Sequence, residues 1–196
     1  MLVPGTHARS WESTRALCAE HSVDLALGAH PWFLDEAARA PTAEDLTGCV
    51  ALGEIGLDRP HAKAHGGWDR QLRLLRQQLE LAVELDLPVV LHVVKAHGPM
   101  LEELRRLGRV RGLLHSFMGP TELLSPYSAL GLKFSFGPAV MRAGVRRGLE
   151  ALRACPRDLL LFESDAPDGG RPAALPDLVA FASALRGEAV GAVRPF

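Results

Sequence analysis

The sequence predicts an α/β fold in which parallel strands alternate with helices. Short apolar runs recur along the chain, and amphipathic helical patterns lie between them. Parallel neighbours need long crossover connections, so the pattern fits both an open doubly wound sheet and a (β/α) barrel. No GxGxxG or GxxxxGK[ST] motif follows any of the apolar runs, which disfavours the nucleotide-binding open sheets.

The elements can be placed in order from these patterns. Buried strands are predicted at 24–30, 49–56, 88–94, 111–117, 131–137 and 159–165, and the opening MLVPGT is a further strand candidate. Helices are predicted at 68–86, 98–108, 138–155 and 174–185. In the first of these helices an apolar stripe, with charged residues opposite, is formed by Leu72, Leu75, Leu79 and Ala82.

Composition limits the class of protein. The chain has 196 residues, of which 47% are hydrophobic, and these values predict a single globular domain over residues 1–196. The net charge of −1 provides no basic field for holding long nucleic acid. Three cysteines without a CxxC motif predict neither a disulfide framework nor a cysteine zinc site and favour a cytoplasmic location. No apolar run approaches the ~18 residues of a membrane span, so no membrane partner is expected.

Several predicted strands finish in a residue that can bind a metal ion. These residues are Glu54, His92, His115 and Asp165. A single histidine at a strand end is more often a hydrogen-bonded core residue, and a single carboxylate often caps the following helix. Four such residues on four strands predict a metal or catalytic site, because strand ends converge at one mouth of a (β/α) barrel. Imidazole and carboxylate are suitable ligands for zinc, manganese, iron or magnesium.

Five sequence blocks carry a resemblance to a known family. They are GAHPWF, VALGEIGLD, RQLRLLRQQLELAVELDLPVVLHVVKAH, GLLHSFMG and LLLFESDAPD. In order and spacing they resemble the GxHP, GEIGLD, QxxLAxxLxLPVxxH, HxFxG and ETDAP signatures of the TatD family of metal-dependent hydrolases. The resemblance implies a TIM-type (β/α) barrel, usually with two divalent metal ions (Mg, Mn or Zn), and often a nuclease that acts from a DNA 3′ end.

The resemblance also implies residue roles. Glu54 corresponds to the carboxylate that bridges both metals, and His92 and His115 complete one metal site with it. Asp165 corresponds to a ligand of the other ion and to the base that accepts a proton from the attacking water. The predicted catalytic residues are therefore Asp165 and Glu54.

One departure from the family pattern concerns the first strand. The family begins with a strand that ends in HxH, and this chain contains no HxH. The expectation is a barrel that lacks the first strand–helix unit, either by real loss or because the gene start is placed too late. One metal site is then intact and the second is incomplete, with His7 as a substitute ligand or, more simply, a loop residue. A barrel lacking one strand would have two unpaired sheet edges, which are an association hazard and make a homo-oligomer one of the possible assemblies.

Three residues are predicted to bind substrate. His30 matches the family GxHP motif, with a structural histidine in a turn as the alternative. Lys95 and His97 match a branch of the family with a basic residue and a histidine after the metal ligand. Lys95 is predicted either to face a phosphate or carboxylate or to be a solvated lysine.

Two further groups lie close to these motifs. Trp32 and Phe33 are predicted either to pack against the barrel rim or to stack on a nucleobase. His61 and His65 are predicted to lie in a solvent-exposed loop that contains glycine, with lining of the barrel mouth as the alternative.

The predicted function is a TatD-type hydrolase that cleaves phosphodiester bonds in DNA, or in a small phosphodiester, by metal-activated water. One alternative is a catalytically impaired TatD-like remnant that binds one metal. Another is a related amidohydrolase acting on amide or ester bonds, which the absence of a strand-end lysine disfavours.

Overall fold

The structure, a computed structural model, describes residues 1–35, 38–165 and 175–188. Seven strands lie within these residues: β1 (Leu2–Gly5), β2 (Asp24–Leu27), β3 (Ala51–Asp58), β4 (Val89–Val94), β5 (Gly112–Leu114), β6 (Leu132–Phe136) and β7 (Leu160–Phe162). The described residues also contain seven α-helices: α1 (Trp11–His21), α2 (Arg59–His65), α3 (Trp68–Glu84), α4 (His97–Leu107), α5 (Leu124–Ala129), α6 (Arg146–Ala154) and α7 (Leu175–Arg186).

The strands are hydrogen-bonded neighbours in the same order in which they follow one another in the chain, β1 to β7. The registers β1–β2, β2–β3, β3–β4 and β6–β7 are all parallel. A doubly wound sheet reverses its strand order at a switch point, whereas a (β/α) barrel adds each strand beside the preceding one. The observed connectivity is therefore that of a (β/α) barrel, and the predicted α/β class is confirmed.

The chain divides into two compact units, residues 1–113 and 114–196. In the first unit, helix α3 packs against strand β3. The predicted apolar stripe of α3 provides this contact, since Leu75 and Leu79 are fully buried. On the strand side, Leu52, Ile55 and Leu57 are also fully buried. This burial fixes the position of β3, which carries the GEIGLD motif.

The second unit has an aromatic core. Phe117 lies 4.9 Å from Phe134 and 6.1 Å from Phe136 between ring centroids, both in edge-to-face geometry. Tyr127 of α5 contacts Phe134 in the same geometry. Edge-to-face pairs stabilise beyond their buried area. This core supports strand β6 and the segment that follows β5.

Two predicted elements differ from the structure. The helix predicted at 138–155 is interrupted: a 3₁₀ turn over Pro138–Met141 is separated from α6, and Gly144 adopts a left-handed φ of 85° in the break. The loop prediction for His61 and His65 is wrong, because both lie on helix α2, where His65 is exposed as predicted and His61 is half-buried. Its first turn is capped by Asp58, whose side chain accepts a hydrogen bond from the His61 backbone N–H.

No helix in the described part of the chain is both long and apolar enough to cross a membrane.

Candidate metal centres

The first unit brings His30, Glu54 and His92 together. Each offers one donor atom, and these atoms all lie within 4.8 Å of one another. The His30 and His92 rings are 4.4 Å apart between centroids, and His30 Nε2 is 3.5 Å from Glu54 Oε2. His30 and His92 are buried, and the Glu54 side chain is largely so. A buried carboxylate beside two imidazoles is a donor set suited to a divalent cation.

Glu54 enters this cluster through an irregularity in strand β3. The register with β4 passes from Gly53 opposite Val90 to Ile55 opposite Leu91, so the register shifts at Glu54. A shift of this kind re-aims the side chain relative to regular alternation. Glu54 is thereby set apart from its buried apolar neighbours on the strand.

His92 lies within strand β4 and is held by a second carboxylate. Its Nε2 lies 3.0 Å from Oδ2 of Asp58, a residue that is 3% exposed. Burial disfavours the charged form of Asp58, but hydrogen bonds from His92, the His61 backbone and Trp32 hold its pKa well below its usual range. An ionised Asp58 accepts the Nε2 proton of His92. The lone pair of neutral His92 is then on Nδ1, as in carboxylate–histidine–metal arrangements.

His30 has the opposite arrangement. The backbone N–H of Trp32 donates to His30 Nδ1 at 3.1 Å, so the neutral ring carries its proton on Nε2. That nitrogen is the one that faces Glu54. His30 is therefore a hydrogen-bond donor to the carboxylate, or to a group bound beside it, and not a metal ligand through Nε2.

The second unit contains a separate cluster of His115, Glu163 and Asp165, whose donor atoms also lie within 4.8 Å of one another. His115 Nδ1 is 3.2 Å from Glu163 Oε1 and 4.0 Å from Asp165 Oδ1. Glu163 also accepts hydrogen bonds from the Ser116 backbone N–H at 2.6 Å and from the Ser135 hydroxyl. These bonds fix Glu163, which in turn orients His115. Asp165 is the most exposed member of the cluster, with 43% of its side chain accessible.

The predicted site residues fall into these two clusters. Glu54 and His92 lie together in the first unit, and His115 and Asp165 lie together in the second. Their assignment as metal ligands, and of Asp165 and Glu54 as catalytic, stays a prediction. His30, predicted to bind substrate, lies inside the first cluster.

The other predicted substrate residues follow strand β4. Lys95 is exposed, and His97 is partly buried at the start of α4, where burial lowers its pKa. His7 has both ring nitrogens engaged, since Nδ1 accepts from the Arg9 backbone and Nε2 lies 3.0 Å from Asp35. Both sequence interpretations of His7, as a substitute metal ligand and as a loop residue, stay predictions.

Sequence reasoning missed two carboxylates, Asp58 and Glu163. Both occur in the motifs that carried the resemblance, at the end of GEIGLD and at the start of ESD. The signal available was the additional acidic residue in each motif. It lies four residues after Glu54 in the first motif and two residues before Asp165 in the second.

Comparison with known proteins identifies the family of the chain. The family model described as TatD related DNase matches residues 1–190. The chain belongs to the TatD family.

Individual relatives support the family assignment. The metal-dependent hydrolase YjjV from Escherichia coli strain K12, named as uncharacterized, is 31% identical over 177 residues, covering 86% of this chain and 68% of YjjV. The crystal structure of YjjV matches with a TM-score of 0.85 over 96% of this chain and 79% of that chain. A protein of Erwinia billingiae named 3′-5′ ssDNA/RNA exonuclease TatD is 31% identical to this chain. The match covers 96% of this chain and 80% of the Erwinia protein.

Coverage of other TatD-like hydrolases is lower. The chain spans 58% of the metal-dependent hydrolase of Haemophilus influenzae and 64% of YabD from Bacillus subtilis. A TatD family hydrolase structure from Entamoeba histolytica, 15% identical with a TM-score of 0.79, shares the fold. Together the matches establish a TatD-type metal-dependent hydrolase with a fold of the TIM-barrel type.

Proposed function

We propose that this chain is a metal-dependent phosphodiesterase that removes nucleotides from the 3′ end of single-stranded DNA. The observation that carries the proposal is His92, which is held by the buried, ionised Asp58 and lies beside Glu54 and His30. The names of several relatives support the substrate class, among them the exonuclease of Erwinia billingiae at 31% identity.

The donor sets of the two clusters fit divalent metal ions. In the first unit Glu54 and His92 would hold an ion, and in the second unit His115 and Asp165 would do so. When bound, a divalent ion lowers the pKa of a coordinated water and stabilises negative charge on the leaving oxygen. No cysteine takes part in either cluster, so the oxygen- and nitrogen-rich donor sets suit Mg, Mn or Zn.

The residues of the chain supply the remaining chemistry. Asp58 and Glu163 each hold one imidazole in a fixed tautomer. His30 presents its Nε2 proton beside Glu54, where it can donate to a phosphoryl oxygen. The exposed Asp165 carboxylate can accept a proton from an attacking water.

The test is His92→Ala assayed on a 5′-labelled single-stranded oligonucleotide with Mn²⁺ or Mg²⁺. We expect bound metal to fall and kcat/KM to drop by about 100-fold or more, because the ligand and its bond to Asp58 are both lost. The matched control is His21→Ala, since His21 is an exposed histidine at the end of α1. Metal content is measured by elemental analysis of the purified proteins.

Two results would contradict the proposal. Unchanged metal content and turnover in His92→Ala would remove His92 from the site. A wild-type protein that binds metal but shortens no oligonucleotide would be a binding protein, which is the remnant function considered from the sequence.

A further inference from the structure

We propose that Trp32 and Phe33 form a nucleobase platform beside the His30–Glu54–His92 cluster, so that substrate is bound as an unpaired, single-stranded end. This inference rests on the proposed phosphodiesterase function and adds the site that would hold the base. A stacking surface for a base is a separate requirement from the groups that act on the phosphate.

Exposure distinguishes these two rings. Trp32 is 50% exposed and Phe33 is 44% exposed. Among the described residues they are the two Trp, Phe or Tyr side chains that are exposed; Trp68, Phe162 and Phe181 are half-buried, and the core rings such as Trp11, Phe117 and Tyr127 are buried. Large apolar side chains left exposed next to a polar site mark a binding surface. The alternative from the sequence, packing against the barrel rim, stays a prediction, and the exposed part of each ring is the surface on which a base would stack.

Both rings lie directly beside the His30–Glu54–His92 cluster. The Trp32 ring is 5.1 Å from the His30 ring and 5.6 Å from the His92 ring between centroids. Phe33 is 5.8 Å from the His30 ring. A nucleobase is linked to its own phosphate through one sugar, so a base on these rings keeps its phosphate next to the cluster.

The platform is held in place by polar contacts. The Trp32 indole N–H donates to Asp58 Oδ2 at 2.7 Å, and the Phe33 backbone N–H donates to the His30 carbonyl at 3.1 Å. Directly before Trp32, the Pro31 carbonyl accepts a hydrogen bond from the buried Gln71 at 3.3 Å. These bonds fix the Trp32 indole and the backbone on either side of it, so little ordering is needed when a base binds.

Two further rings lie next to Trp32 in succession. His61 lies stacked on Trp32 with an interplanar angle of 22° and a centroid distance of 6.1 Å. His65 follows, with its ring 4.6 Å from that of His61. A base inside a duplex has both faces covered by its neighbours, so only an unpaired base can use such a surface.

The experiment compares a fluorescein-labelled pentathymidylate with an abasic chain of the same length. Binding is measured by fluorescence anisotropy in EDTA, so the readout requires neither metal nor turnover. We expect the wild-type protein to bind the base-bearing chain about 10-fold more tightly, within the range measured for stacking of a single base on an aromatic side chain. In the double variant Trp32→Ala/Phe33→Ala the two affinities should become equal.

Two matched variants separate stacking from other effects. Trp32→Phe keeps a ring but loses the N–H bond to Asp58, and it should retain most of the preference for bases. Val83→Ala removes an exposed apolar side chain from helix α3 and should behave as the wild type does. Circular dichroism melting of each variant confirms that the fold is retained.

The results of this experiment can contradict the platform and the proposed function independently of each other. Equal affinity of the wild type for both chains, no binding of either at millimolar concentration, or an unchanged preference in the double variant would overturn the platform. Hydrolysis of both chains with equal KM would leave the proposed function standing without the platform. A retained preference for bases with no hydrolysis of either chain would leave the platform standing and remove the proposed function.

Discussion

Asp58 receives three donors at its two carboxylate oxygens: the His92 ring, the Trp32 indole and the His61 backbone N–H. Since the residue is 3% exposed, its charge persists only because these bonds offset the cost of burial. The ionised Asp58 carboxylate in turn fixes which nitrogen of His92 carries the proton. At the scale of a single residue, Asp58 therefore determines whether a lone pair is available for a metal on the neighbouring side chain.

The corresponding prediction concerns Asp58→Asn. The amide has the same shape but no charge, so it holds the Nε2–H tautomer of His92 less firmly. We expect the metal affinity of the protein to fall about 10- to 100-fold, the range typical of lost outer-shell partners. Isothermal titration with Mn²⁺ measures the change.

A matched carboxylate provides the control for this prediction. Asp45 also has a pKa well below its usual range, owing first to its hydrogen bonds with Arg39, and it lies in the 38–47 segment of the same unit. Asp45→Asn should leave Mn²⁺ affinity unchanged. An equal loss of affinity in both variants would mean that the effect reflects general destabilisation rather than the bond to His92.

At the scale of the element, strand β3 is shaped by the two glycines on either side of Glu54. An added Cβ on Gly53 would lie 2.5 Å from the Val90 Cβ, and one on Gly56 would overlap the His92 carbonyl oxygen. These positions allow β3 to approach β4 closely while the register shifts at Glu54. The GEIG sequence thus combines a carboxylate aimed out of the ladder with backbone space for a neighbouring strand.

We predict that Gly56→Ala destabilises the protein by at least about 2 kcal/mol, because the overlap with the His92 backbone forces the strands apart. Urea denaturation measures the free energy of unfolding. Gly98→Ala is the control, since nothing lies within 4 Å of its added Cβ and the residue is in helix α4. Alanine there should be neutral or stabilising by up to about 1 kcal/mol. Similar losses at both positions would contradict the close-approach explanation.

The elements differ in how well their sequence predicts them. The apolar strand runs are predicted because strands covered on both faces contain continuous hydrophobic residues, as in β3. Helix α2 was missed because seven residues containing Pro60 and two histidines show no apolar stripe. The single helix predicted at 138–155 was too long because periodicity alone does not register a left-handed glycine such as Gly144.

At the scale of the whole molecule, the candidate ligands were predictable and the residues that orient them were not. Glu54 and His92 each stand at or near the end of an apolar run, which is a local signal. Asp58 contacts His92 across 34 residues of sequence, and Glu163 contacts His115 across 48. Contacts of that separation depend on which strands the fold places side by side, and apolar periodicity does not carry this information.

Net charge is the other property of the whole molecule that bears on substrate binding. With 22 basic and 23 acidic side chains, the chain has a net charge of −1 and so no net positive field for holding a long strand by displacing counterions. Stacking of bases on Trp32 and Phe33, in contrast, is uncharged and changes little with salt. We therefore predict that affinity for pentathymidylate depends weakly on NaCl, with a log–log slope between 0 and about −2, as expected for no more than about three phosphate contacts.

Anisotropy titrations over a range of NaCl concentrations measure this slope. The abasic chain serves as the control, because it has the same phosphates and should give the same slope with a lower affinity at every salt concentration. The preference for the base-bearing chain should therefore persist at high salt. A slope of about −3, which would mean contacts with all four phosphates that join the five nucleotides, would instead require a cationic track along the strand, and the charge of this chain would then be a poor guide to how it binds DNA.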